Sequence, residues 1–140
     1  MEKSDAEYKN CEARVNQHLA ARIADIRKMW KTYPEAPSDD LPALDEYGLC
    51  FDYCPAGTWN DQVESFFRWQ LSTGGPGDEF RFYAGLDWKS YKIEYVFLDW
   101  YDGASRRLHG ARYNLLAEIW SDFFVECGAA QAEFDKAKGP

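Results

Sequence analysis

Three aspartates and one histidine are the side chains of this sequence that could perform acid–base or metal-assisted chemistry. Asp99 and Asp102 are three residues apart, and Asp52 and His109 are the groups that could join them. Neighbouring carboxylates can transfer protons or bind a divalent ion, and a histidine titrates near neutral pH. Because nothing in the spacing brings these residues together, a small hydrolase that uses a carboxylate cluster is kept only as an alternative function.

The four cysteines do not have the spacing of a zinc site. They are Cys11, Cys50, Cys54 and Cys127. Cys50 and Cys54 would lie on one face of a strand, about 13 Å apart at ~3.3 Å per residue, which is too far for one ion. We predict reduced thiols, no bound metal and no cofactor.

One short segment of the chain is densely basic. It contains Arg106, Arg107, His109 and Arg112. These residues could bind a phosphate group near a helix start, or they could pair with Asp99 and Asp102, which is the interpretation we favour. Ser105 is expected to be the N-cap of that helix rather than a nucleophile activated by His109.

Negative charge is concentrated in the middle of the chain. The formal net charge is −8, and residues 39–102 contain 13 acidic and 4 basic residues, whereas the flanking segments are nearly balanced. Such a segment would repel nucleic acid and attract a basic protein surface. No stretch approaches the roughly 18 apolar residues of a membrane span, and a charged segment follows Met1, so we expect a cytoplasmic protein with no membrane contact.

Acidic and aromatic residues on presumed loops and outward strand positions are the candidate binding residues. They are Asp39, Asp40, Asp45, Glu46, Trp59, Asp61, Glu64, Asp78, Glu79, Asp87 and Trp88. No catalytic residue is assigned. The alternative is that this negative charge serves solubility alone.

Hydrophobic spacing predicts one α+β domain over residues 1–140. A long amphipathic helix is expected over residues 4–33, beginning with a capping box from Ser4 to Glu7 and ending at Pro34. Alternating residues then predict four antiparallel strands within residues 47–101, with Glu79 and Arg81 facing outward. Helices are expected over residues 105–127 and 129–138. The order α-β-β-β-β-α places both long helices on one face of a meander.

Three segments, LCFDYCPAGTWNDQ, FFRWQLSTGGPGDEFRFY and YKIEYVFLDWYDGASR, resemble a family of short proteins encoded on bacterial plasmids and conjugative elements. The similarity covers roughly residues 47–126 and includes no catalytic motif. It implies an inhibitor of host defence, of the anti-restriction or anti-CRISPR type. We therefore expect a non-enzymatic binding protein that blocks a basic, nucleic-acid-binding surface of a bacterial defence protein. A structural or regulatory homodimer is a further alternative.

Overall fold

Five antiparallel strands form a single sheet in the computed structural model, which describes residues 10–100 and 102–138. The strands are β1 (Cys50–Cys54), β2 (Phe66–Ser72), β3 (Gly77–Ala84), β4 (Ser90–Asp99) and β5 (Asp102–Arg107). Each strand pairs with the next one along the chain, so that β1 and β5 are the two edges. The predicted α+β class is confirmed, whereas the predicted number of four strands is wrong.

The additional strand, β5, occupies a segment that the sequence assigned to a turn and a helix start. Ala104 lies opposite Phe97, and Arg107 lies opposite Glu94. Without this return, the outer backbone groups of β4 would lack partners, and pairing with β5 satisfies them. Helix α2 (Gly110–Ile119) begins five residues after Ser105, so Ser105 is not its N-cap.

The first helix, α1 (Cys11–Thr32), begins later than predicted. The side chain of Asn10 caps it by accepting a hydrogen bond from the backbone N–H of Ala13. The predicted capping box at Ser4 to Glu7 lies outside the described residues. The buried residues of α1 recur at three- and four-residue steps and include Cys11, Val15, Leu19, Ile23, Ile26 and Met29.

The C-terminal part of the chain is helical with one irregular segment. After α2, residues Trp120–Val125 form a π-helical turn, and α3 (Ala129–Lys138) follows. Gly128 separates them with a φ of 87°, a left-handed conformation that costs glycine little. Phe134 of α3 contacts Tyr53 and Trp88, which docks this short helix beside β1.

The main core lies between one face of the sheet and the helices. It joins residues of α1 and α2 to the inward side chains of four strands, among them Phe67, Trp69, Phe80, Phe82, Ile93, Tyr95, Phe97 and Ala104. Both long helices therefore cover the same face, as predicted. We call the opposite side of the sheet the open face. No described helix is long and apolar enough to cross a membrane.

Candidate protein-binding surface

Asp78 of β3 is a buried acid that faces α1. It is only 4% exposed, and its carboxylate accepts two hydrogen bonds from Arg22, at 2.7 and 2.8 Å. The hydroxyls of Ser72 and Tyr95 also donate to it, at 2.6 and 2.5 Å. Burial alone would raise the pKa of Asp78, but these hydrogen bonds outweigh it and hold the pKa below its usual value. Asp78 therefore stabilises the fold as part of a charged network.

Two further acids of the central segment are buried beside arginines. Glu79 is 3% exposed and accepts a hydrogen bond from Arg81 at 2.6 Å. Asp99 pairs with Arg14 of α1. The expectation that Asp78 and Glu79 lie on an exposed surface is therefore wrong. The alternation of strand residues could have identified Asp78, because it shares the parity of the inward-facing Phe80.

Several acids of the open face also have partners. One row crosses all five strands in directly opposed positions and consists of Asp52, Arg68, Arg81, Glu94 and Arg107. Asp52 accepts two hydrogen bonds from Arg68, at 3.1 and 2.8 Å. Glu64 accepts hydrogen bonds from Tyr91 at 2.6 Å and Lys92 at 3.0 Å, and these lower its pKa. The open face is therefore a mixed-charge surface rather than an acidic one.

A run of neighbouring unpaired acids is found in the connection between α1 and β1, residues 35–46, which we call the acidic loop. A bridge between Ser38 and Leu41 reverses the chain, and a 3₁₀ turn follows at Leu44–Glu46. Leu44 is 1% exposed and Leu41 packs against the core, so apolar side chains fix the loop from inside. Most of the remaining side chains of the loop are exposed to solvent.

The exposed side chains of the acidic loop are mostly carboxylates. They are Glu35, Asp39, Asp40, Asp45 and Glu46. None of these carboxylates forms an ion pair or hydrogen bond with the described part of the chain. A hollow of about 250 Å³ adjoins the loop, and its lining includes Asp45, Glu46, Leu49, Phe51 and Phe123. Leu49 is 57% exposed at this site, so the surface combines negative charge with an apolar contact.

A second group of predicted binding residues lines a separate pocket on the open face. Trp59, Asp61 and Glu64 belong to its lining, and its volume is about 410 Å³. Trp59 is 44% exposed and stacks on Phe66, with the guanidinium of Arg68 5.5 Å from its ring centroid. These three predicted residues therefore lie in one region of the structure, although Glu64 is engaged by Lys92.

The last two predicted binding residues belong to the turn between β3 and β4. Asp87 is exposed there. Trp88 is partly buried against Phe67, and its carbonyl accepts a hydrogen bond from the indole N–H of Trp120 at 2.8 Å. Trp88 is therefore mainly a packing residue. The most exposed tryptophan is Trp100, at 81%, and it was not among the predicted binding residues.

The residues of the alternative hydrolase do not form one site. Asp52 and Asp99 lie on opposite faces of the sheet and three strands apart, a separation of about 14 Å at ~4.8 Å per strand. Asp102 accepts a hydrogen bond from the backbone N–H of Cys11 at 2.8 Å, which lowers its pKa. His109 precedes α2 and provides no side-chain cap. Within residues 10–100 and 102–138, no cluster of three or more His, Cys, Asp or Glu could hold a metal ion.

The contacts of the cysteines and of the basic segment are those of residues that stabilise the fold. All four cysteines are free, and burial raises the pKa of the Cys54 thiol to about 11. The sequence had suggested that Arg106 pairs with Asp99 or Asp102. In the structure it pairs with Glu12 and Asn16 of α1 instead. This basic segment therefore helps to hold α1 against the sheet.

The chain matches no protein-family model, no curated protein and no solved structure.

Proposed function

We propose that this protein binds a basic surface of another protein through the acidic loop and the hollow beside it, and thereby blocks nucleic-acid binding by that partner. The observation that carries the proposal is a contrast in pairing: five carboxylates elsewhere in the central segment pair with an arginine or lysine, whereas the five neighbouring carboxylates of the acidic loop have no such partner in the described structure. Exposed charges of one sign accelerate association with an oppositely charged surface and fix its orientation.

The apolar hollow supports protein binding rather than solubility alone. Exposed acids that serve only solubility need no adjoining apolar contact, whereas protein interfaces combine a hydrophobic centre with a polar rim. Leu49, Phe51 and Phe123 supply the apolar part, and Asp45 and Glu46 lie at its border. The resemblance to proteins of bacterial mobile elements favours a host defence protein, of the restriction or CRISPR type, as the target.

The experiment compares two variants with the same net charge of −4. One carries Asp39→Asn, Asp40→Asn, Asp45→Asn and Glu46→Gln. Its control neutralises four exposed acids at scattered positions: Asp61→Asn, Asp87→Asn, Glu118→Gln and Asp135→Asn. Proteins retained from a bacterial lysate by the parent are identified by mass spectrometry, and the affinity of the purified partner is then measured between about 50 and 300 mM salt.

We expect the loop variant to lose at least about tenfold in affinity, since four exposed pairs of ~0.3–1 kcal/mol each are removed, while the control stays within about twofold of the parent. Excess duplex DNA should displace the protein from its partner. Equal losses in the two variants would mean that total charge, and not the acidic loop, determines binding. Unchanged affinity of the loop variant would exclude the proposed surface.

A further inference from the structure

The outer edge of β5 offers unpaired backbone groups to another strand. The backbone N–H of Leu108 donates to the carbonyl of Ile93 at 2.9 Å, and these two residues continue the β4–β5 register. In an antiparallel ladder, residues two apart point their backbone groups in the same direction. The backbone groups of Ala104 and Arg106 therefore point toward β4, and those of Gly103, Ser105 and Arg107 point away from the sheet.

We propose that β5 pairs antiparallel with β5 of a second copy of this chain, which would join two five-stranded sheets into one of ten strands. The proposal is independent of the proposed function, because it uses the edge of the sheet opposite to β1. β5 carries neither a proline nor a bulge that would prevent such pairing. No described residue of the chain covers this edge by pairing with it.

Symmetry and charge select the register. Two copies related by a twofold axis perpendicular to the sheet must place one residue opposite itself, since opposed residues in an antiparallel pair face the same side. With Ala104 opposite Ala104, Asp102 of each copy lies opposite Arg106 of the other. Opposed side chains in such a pair have Cβ atoms ~4.5–5.5 Å apart, so Arg106 of one copy can exchange its contacts with Glu12 and Asn16 for an ion pair with Asp102 of the other. The Asp102 carboxylate keeps the hydrogen bond that it accepts from the backbone N–H of Cys11 through its other oxygen. The small alanines between the two ion pairs allow close approach.

The same register provides backbone hydrogen bonds. Gly103 of each copy lies opposite Ser105 of the other, and both residues have outward backbone groups, so each pair exchanges two hydrogen bonds. The carbonyl of Ser105 at present accepts a hydrogen bond from the side chain of Arg106 at 2.9 Å, and it retains a second lone pair for the new donor. Four backbone hydrogen bonds and two ion pairs thus join the copies.

Helix α1 lies against β5 and would therefore face its own copy in such a dimer. Its contacts with Arg106 come from Glu12 and Asn16, so this flank of the helix lies above β5. One turn further along the same flank is Ala20, an exposed residue without a bulky side chain. Two copies of α1 would therefore lie antiparallel on the same side of the extended sheet.

The test measures the mass of the protein in solution by sedimentation equilibrium and native mass spectrometry at about 5 to 100 µM. The parent should have twice the chain mass at the upper concentration. Ser105→Pro removes an outward N–H without removing a β4–β5 hydrogen bond, so it should be a folded monomer by circular dichroism, whereas Ser105→Ala should remain a dimer. A parent that is monomeric throughout, or a Ser105→Pro variant that dimerises like the parent, would overturn the proposal.

A pair of charge variants tests the register. Asp102→Arg and Arg106→Asp should each be monomeric, because each places like charges opposite each other in its own dimer. Mixing the two should restore a heterodimer, since both opposed positions then place an arginine opposite an aspartate. If each variant dimerises alone as well as the parent does, or if the mixture contains only monomers, the proposed register is wrong.

Discussion

The acids of the central segment divide into two groups with opposite surroundings. Asp78 is buried and accepts hydrogen bonds from an arginine, a serine and a tyrosine, whereas Asp39 and Asp40 lie exposed in the acidic loop without a partner in the described structure. Each acid of either group counts as one negative charge in the formal charge of −8. Net charge therefore overstates the negative surface available to a partner, and the unpaired group is the one through which we propose binding.

Among substitutions of these acids, we expect replacement of Asp78 to have the largest effect on the free energy of unfolding. Asp78→Asn leaves Arg22 without its carboxylate in a site where little water can replace it. Removing one member of a buried ion pair is strongly destabilising, and we expect the free energy of unfolding to fall by about 3 kcal/mol. Urea unfolding followed by tryptophan fluorescence measures this change.

A double-mutant cycle with Arg22→Met separates the pair from its surroundings. The double variant should lose less stability than the sum of the two single variants. We expect this coupling between the two sites to be roughly 1–3 kcal/mol in the free energy of unfolding. Additive losses from the two substitutions would contradict direct stabilisation of the fold by this ion pair.

The second expected effect is a loss of stability in acid. The pKa of Asp78 lies below its usual value in the folded protein, so its contribution is fully present above the unfolded pKa of about 3.9 and disappears as pH falls through the folded value. The urea midpoint of the parent should therefore decrease steeply below about pH 4. Asp78→Asn should show a shallower decrease over the same range, and parallel curves would contradict this assignment.

The smallest expected effects separate a partly exposed pair from an unpaired acid. Asp52→Asn removes the partner of Arg68 on the open face, where solvent screens both charges, and it should cost less than about 1 kcal/mol. Asp39→Asn should change the free energy of unfolding by no more than about 0.5 kcal/mol. Equilibrium unfolding of the two variants at one salt concentration makes the comparison. If Asp39→Asn lowered the free energy of unfolding more than Asp52→Asn does, the assignment of Asp39 as unpaired and Asp52 as paired would be contradicted.

Elements with strong periodicity were predictable from the sequence, and β5 was not. The spacing of Leu19, Ile23 and Ile26 predicted α1, and the alternation of Phe80 and Phe82 predicted β3. β5 contains Gly103, Ala104 and Ser105, which have little strand propensity, and Ala104 is its only buried residue. This strand forms because the edge of β4 offers it backbone hydrogen bonds, so its cause is a tertiary contact rather than the local sequence.

The candidate surface was predictable only in part for a related reason. The contrast of charge between chain segments drew attention to Asp39, Asp40, Asp45 and Glu46, which are exposed in the structure. It could not show that Arg22 lies against Asp78, because the two residues are 56 positions apart. A linear count treats both kinds of acid alike, and the pairing that distinguishes them depends on how α1 packs on the sheet.

The attachment of α1 to the sheet also has a consequence for the entropy of the folding chain. The strands pair with their neighbours in sequence, but the polar contacts of α1 with the sheet join residues 56, 85 and 94 positions apart. The entropy lost in closing a loop rises only with the logarithm of its length, so extending closure from 56 to 94 residues adds about 0.5 kcal/mol. Once Arg22 has reached Asp78, the contacts near the beginning of the helix form at little further entropic cost.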